Sequence, residues 1–98
     1  MAIGVLIKRI MKDGVDAKTL LPYVIDLRAL AVRQDGYISG ETFFNLKRRE
    51  ECLVISRWTS LEHWQRWEKD RRRIEINKEM DKQLIVETEY NIYGIGLW

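Results

Sequence analysis

Cysteine, proline and histidine are nearly missing from this chain, with one of each among 98 residues. A lone thiol allows no internal disulfide, which excludes the cystine-stapled scaffolds of small secreted domains. Cys52 lies in the apolar run Cys52-Leu53-Val54-Ile55 and reads as a buried thiol suited to a reducing cytoplasm. One histidine and one cysteine supply no zinc-ligand spacing, and neither a glycine-rich phosphate loop nor a helix-turn-helix pattern is present. Long apolar runs are absent too. Lys8 and Arg9 interrupt the first of them, so neither a secretory leader nor a membrane span is expected. The charge excess is small: 17 basic against 15 acidic residues leave +2, too little to argue for a nucleic-acid partner.

A hydrophobic share of 46% and a charged share of 33% describe a folded chain, and 98 residues leave room for one core. Residues 1–98 are therefore read as a single domain. Ala2–Met11 forms a strand with Ile3, Val5 and Ile7 on one side and Leu6 and Ile10 on the other. Asp16 is placed to cap a helix running to about Arg33, whose Leu20, Leu21, Val24, Leu27 and Ala31 share one stripe. Pro22 lies past the first turn of that helix, so a bend or a later start is expected. Gln34-Asp35-Gly36 ends it, with Gly36 available for a left-handed backbone. Tyr37–Leu46 and Glu51–Trp58 make a hairpin around the charged turn Lys47-Arg48-Arg49. Thr59 and Glu62 have capping-box spacing at the head of a second helix. That helix continues to about Asp81, with a break allowed near Asp70. Leu84–Trp98 reads as the last strand.

The order β-α-β-β-α-β defines an α+β, ferredoxin-like unit, a four-stranded antiparallel sheet with two helices on one face. Bulky residues on both strand faces would leave the second face bare in one subunit. The aromatic-rich segment Tyr90–Trp98 adds surface that needs cover. A homodimer with sheets face to face, a dimeric α+β barrel, is the expected solution.

The passage Leu53-Val54-Ile55-Ser56-Arg57-Trp58-Thr59-Ser60-Leu61-Glu62-His63-Trp64-Gln65-Arg66-Trp67 resembles a strand-to-helix passage of the antibiotic biosynthesis monooxygenase family. One tryptophan closes the strand and others follow six and nine residues later. Gly36-Tyr37-Ile38-Ser39-Gly40-Glu41 resembles the opening of that family's second strand, with Gln34-Asp35 replacing its proline-containing turn. With the matching element order, the resemblance covers nearly the whole chain. It implies a dimeric barrel and, for part of the family, oxidation of quinol- or anthrone-like aromatics by molecular oxygen without metal or flavin. Other members have no assigned activity, and some degrade haem. The haem branch uses an asparagine in its first strand, a tryptophan on the second helix and a histidine ten residues later. Here Trp67 stands at the tryptophan, Asn77 at the histidine, and the first strand has no asparagine.

The resemblance thus implies a cofactor-free, cytoplasmic monooxygenase acting on a small hydrophobic aromatic. Two alternatives stay open: a non-catalytic ligand-binding or dimerisation protein of the same fold, and an atypical haem-binding member. Cofactor-free oxygenation needs a site that orients the ring, excludes water and stabilises a negative oxygen. Trp67 is a candidate for donating its indole N–H or walling that site, and Asn77 for a polar contact. His63 has the intrinsic pKa of a general base, against an exposed or packing role. Tyr37, Arg57, Trp64 and Tyr93 are candidates for binding substrate, each against ordinary packing in core, sheet or dimer interface. Arg71–Arg73 reads as charged surface, or as an attractant for an acidic substrate at a pocket mouth. No cofactor, metal, nucleic acid or membrane is expected as a partner.

Overall fold

A computed structural model describes residues 1–97. The elements are β1 (Ile3–Ile10), α1 (Ala17–Ala31), β2 (Tyr37–Phe44), β3 (Glu51–Trp58), α2 (Leu61–Glu68), α3 (Arg71–Asp81) and β4 (Glu89–Gly94). The strands form one antiparallel sheet in the order β2-β3-β1-β4. The class is α+β with the ferredoxin-like order, and it carries three helices where two were expected.

Strict alternation in β1 turns Ile3, Val5, Ile7 and Arg9 to the buried face. Their cross-strand partners on β3 are Trp58, Ser56, Val54 and Cys52, so these side chains line the same face. The helices cover it with Leu20, Val24 and Ala31 from α1, Trp64 and Trp67 from α2, and Met80 from α3. Three tryptophans meet there. Trp58 is edge-on to Trp64 and stacked on Trp67, and its indole N–H donates to Ser56 Oγ at 2.8 Å.

Local chemistry explains the helix ends. The Asp16 carboxylate accepts the Thr19 N–H at 3.1 Å and heads α1. Pro22 sits inside α1 without delaying its start, which corrects the expected later start. Its missing N–H leaves the Lys18 carbonyl without a main-chain donor, on an exposed residue where water can serve. The expected cap at Thr59 is also corrected: Ser60 is the cap, its Oγ accepting from His63 N at 3.3 Å. Thr59 stands at a bend outside the helix, its N–H donating to the Gly36 carbonyl at 2.8 Å. Asp70 accepts from Arg72 N at 2.9 Å and Arg73 N at 3.3 Å, so the break allowed near it becomes a new helix start. The last strand is shorter than Leu84–Trp98. Leu84 makes an isolated bridge to Met11, with Ile85 N donating to the Ile10 carbonyl at 2.9 Å, and the continuous ladder with β1 is confined to β4. Tyr93 is 57% exposed and Leu97 92%, so this segment is not covered within the subunit; Trp98 lies outside the described residues.

Cys52 is fully buried, and burial pushes its thiol pKa up while Arg9 pulls the other way. Neutral and inaccessible, it is expected to resist a disulfide reagent such as Ellman's in the native state. Labelling should run on the order of a hundredfold slower than in denaturant, as followed by absorbance.

Candidate active site

Between α1, α3 and the central strands lies a partly enclosed cavity of about 50 Å³. Its apolar wall is Ile7, Val24, Leu27, Ala31, Val54 and Trp67, and its polar groups are Arg9, Arg28, Tyr37, Ser56, Arg73 and Asn77. No carboxylate, imidazole or thiol is among them. A wider depression of about 590 Å³ lies between the loops around residues 12–17 and 44–50. Its charged groups, Lys12, Asp13, Asp16, Arg49 and Glu50, are of mixed sign and mostly exposed, so it is a surface hollow without a converging set of groups.

Each polar side chain in the smaller cavity has a structural reason to be there. Arg9 follows the inward phase of β1, and its Nη2 donates to Asn77 Oδ1 at 3.1 Å. Asn77 in turn donates from Nδ2 to the Arg73 carbonyl at 2.9 Å. Arg73 points inward from the first turn of α3. It donates from Nη1 to the Glu68 carbonyl at 3.1 Å, satisfying the end of α2, and from Nη2 to Tyr90 OH at 2.8 Å. Its guanidinium also stacks over the Trp64 and Tyr90 rings, 5.3 Å and 5.5 Å from their centroids. Arg28 reaches across from α1 to donate to Thr42 Oγ1 at 2.8 Å.

Tyr37 enters the cavity because of a bulge. Tyr37 pairs with Trp58 and Ser39 with Arg57, so one extra residue on β2 shifts the phase and turns Tyr37 to the helix side. Gly40 then matters for its missing side chain: a Cβ there would stand 2.6 Å from Tyr37 Oη and 2.9 Å from Arg28 Nε. Burial raises the Tyr37 pKa and Arg28 opposes that shift, so the phenol is protonated at neutral pH and available as a donor.

Of the residues singled out from sequence, Trp67, Asn77, Tyr37 and Arg73 meet in this cavity. The others do not. His63 packs on Gly36 and its Nδ1 lies 2.7 Å from Ser60 Oγ and 3.1 Å from Thr59 Oγ1, at the head of α2. Trp64 is 1% exposed and lies within the tryptophan cluster, its Nε1 buried without an acceptor among the described residues. Arg57 and Tyr93 occupy the sheet face turned away from the helices, where Arg57 pairs with Glu41 at 2.9 Å. Arg71 and Arg72 are exposed, Arg72 paired with Asp70, while Arg73 is buried in the cavity. With no imidazole or thiolate in the lining, a haem iron would find none of its usual nitrogen or sulfur ligands there. Arg9, Arg28 and Ser56 were missed. For Arg9 the signal existed, because the alternation of Ile3, Val5 and Ile7 continues inward to position 9.

The antiparallel sheet covered on one face by helices is the fold of solved structures that include a cofactor-independent oxygenase and proteins named antibiotic biosynthesis monooxygenases. A conserved protein from Methanosarcina mazei Go1 superposes with a TM-score of 0.86 at 22% identity, over 95% of this chain and 91% of that one. A variant of SnoaB, a cofactor-independent oxygenase from Streptomyces nogalater, gives 0.87 at 11% identity, over 99% and 95%. A Nitrosomonas europaea protein provisionally named an antibiotic biosynthesis monooxygenase gives 0.88 at 6%, over 97% and 90%. No family model matches the sequence. No curated protein matches it either.

Proposed function

We propose that this chain is a cofactor-independent monooxygenase that oxidises a small hydrophobic aromatic, of the quinol or anthrone kind, with molecular oxygen. One observation carries the reading: Trp67, Tyr37 and Asn77 share a helix-covered cavity with three guanidinium groups and no acid. A substrate methylene or phenol that loses a proton there becomes an anion stabilised by those cations and by the Tyr37 hydroxyl. The lining holds no base, so proton loss depends on the cationic field lowering the substrate's own pKa. The anion gives an electron to oxygen, the two radicals join as a hydroperoxide, and water leaves. One oxygen atom ends in the new carbonyl and the other in water as the O–O bond breaks, the methylene carbon supplying all four electrons and both hydrogens. Trp67 orients the ring. A fused-ring substrate exceeds the 50 Å³ present, so its entry requires half-buried Leu27, Arg28 and Tyr37 to move outward.

The test is oxygen uptake across a panel of quinols and anthrones. Trp67→Phe and Asn77→Ala are each expected to lower turnover about ten- to hundredfold. Unchanged rates in both variants would remove the cavity from the reaction. A panel with no uptake at all would favour the ligand-binding alternative.

The same proposal includes a homodimer. The uncovered sheet face carries Leu6, Leu53, Ile55, Phe43 and Tyr93, with the ion pairs Arg57–Glu41 and Lys8–Glu89 among them. A second copy of the same face would bury that apolar centre. Sedimentation should give a dimer at micromolar concentration, and Ile55→Lys, in the middle of the face, should give a folded monomer. A wild-type chain that sediments as one stable subunit would dispose of this reading.

A further inference from the structure

The cavity holds positive charge that the described residues do not balance. Arg9 is 3% exposed and Arg73 7%, with half-buried Arg28 beside them. Among the described residues, no carboxylate lies within ion-pair distance of any of the three. The one side-chain bond of Arg9 goes to a neutral amide, and its Nε–H is buried with no acceptor. Burial depresses the Arg9 pKa, and the neighbouring Arg73 charge adds to that. A guanidinium keeps its charge at any physiological pH, so the chain cannot relieve the strain by releasing a proton. Buried cations without counter-charge are unfavourable, and an apolar residue would pack there at less expense.

We propose that the cavity is a carboxylate receptor, and that the aromatic this chain acts on is an aromatic acid held through that group by Arg9 and Arg73. The word "acts" rests on the oxygenase reading; the receptor does not. Two flat guanidinia present more donors than one phenolic oxygen can accept, whereas a carboxylate offers about four lone-pair positions in one plane. A cavity of about 50 Å³ has room for roughly three or four waters, which suits one acid group, while the attached ring takes the room opened when Leu27, Arg28 and Tyr37 move outward. The apolar wall of Val24, Leu27 and Trp67 stands next to the cations, where the attached ring would lie. A phosphate is served less well. Main-chain N–H groups at the head of α3 are already taken by Asp70, so no free helix end faces the site.

Calorimetric titration with 2-naphthoate, 2-naphthamide and inorganic phosphate tests this directly. Naphthoate is expected to bind about tenfold or more tightly than the isosteric amide, with phosphate weaker than both. Arg9→Met should abolish that preference while leaving the amide unaffected, and Arg28→Gln should reduce it. If Arg9→Met does not fold, the Arg28→Gln comparison stands alone, since that side chain is half-buried. Equal affinity for acid and amide, tighter phosphate, no naphthoate binding at millimolar concentration, or an undiminished preference in the variants would each overturn the receptor. Oxygen uptake, read in parallel, separates the two proposals. Acid-selective binding without oxygen uptake sinks only the oxygenase; faster uptake with neutral anthrones than with anthrone carboxylic acids sinks only the receptor.

Discussion

Trp58→Ala is expected to leave little folded protein, at a cost of about 3–5 kcal/mol. A chain of this size has roughly 5–15 kcal/mol of stability to lose. Trp58 is fully buried at the end of β3, and Tyr37, Trp64 and Trp67 pack on its ring with centroids 5.3, 6.0 and 6.3 Å away. Removing it opens a void bordered by three aromatic rings that cannot all close in. It also takes away the indole N–H that occupies buried Ser56 Oγ. Denaturant melts should place Trp58→Phe between wild type and alanine, about 1–3 kcal/mol down, because a ring remains but the hydrogen bond does not. Trp64→Phe makes the contrast. Its Nε1–H is buried and unpaired, so the substitution deletes an unsatisfied donor along with some packing and should cost less than the same change at position 58. The reverse ranking would show that the cluster is organised around Trp64.

Gly36→Ala is the second large effect, about 2–5 kcal/mol. Gly36 has φ of 84°, where a side chain costs roughly 1–2 kcal/mol. A Cβ there would also stand 2.6 Å from His63 Cβ, an atom too close to the helix backbone to swing aside, adding about 1–3 kcal/mol. His63→Ala removes the ring carbons but keeps Cβ, so it should recover only the ring's share of the steric part in the Gly36→Ala background and leave the rest. A double-mutant cycle with coupling near zero would mean that imidazole and glycine do not touch.

That pair also shows why the only histidine misleads a reader of the sequence. Imidazole is a side chain commonly used for acid–base chemistry, but here its place is fixed by contacts to Gly36, Thr59 and Ser60, one of them distant along the chain. Periodicity alone carries the strands, the stripe of α1 and the doubly apolar sheet. It misses the cap at Ser60 by one residue because Thr59 and Ser60 are chemically equivalent there, and only the Gly36 carbonyl chooses between them. The β2 bulge is equally silent: counting back in twos from Phe44 puts Tyr37 on the open face, and one extra residue reverses that. Arg73 sits in a run of three arginines that reads as solvent-facing, and the helix start at Asp70 is what aims it inward. Trp67 and Asn77 were legible through their spacing. The cationic character of the cavity was not, since it is assembled from β1, α1 and α3 together.

The strand order has a consequence for how the molecule is made. β1 precedes the other strands of this sheet along the chain and occupies its middle, with Ile3 opposite Trp58 on one side and Gly94 on the other. Until β3 emerges, neither of its hydrogen-bonding edges is filled, and the second must wait for β4. Such non-local pairing places folding on the millisecond-to-second scale of high-contact-order proteins. A nascent chain therefore carries Ile-Gly-Val-Leu-Ile unpaired until β3 has emerged, the interval in which a chaperone has the most to shield.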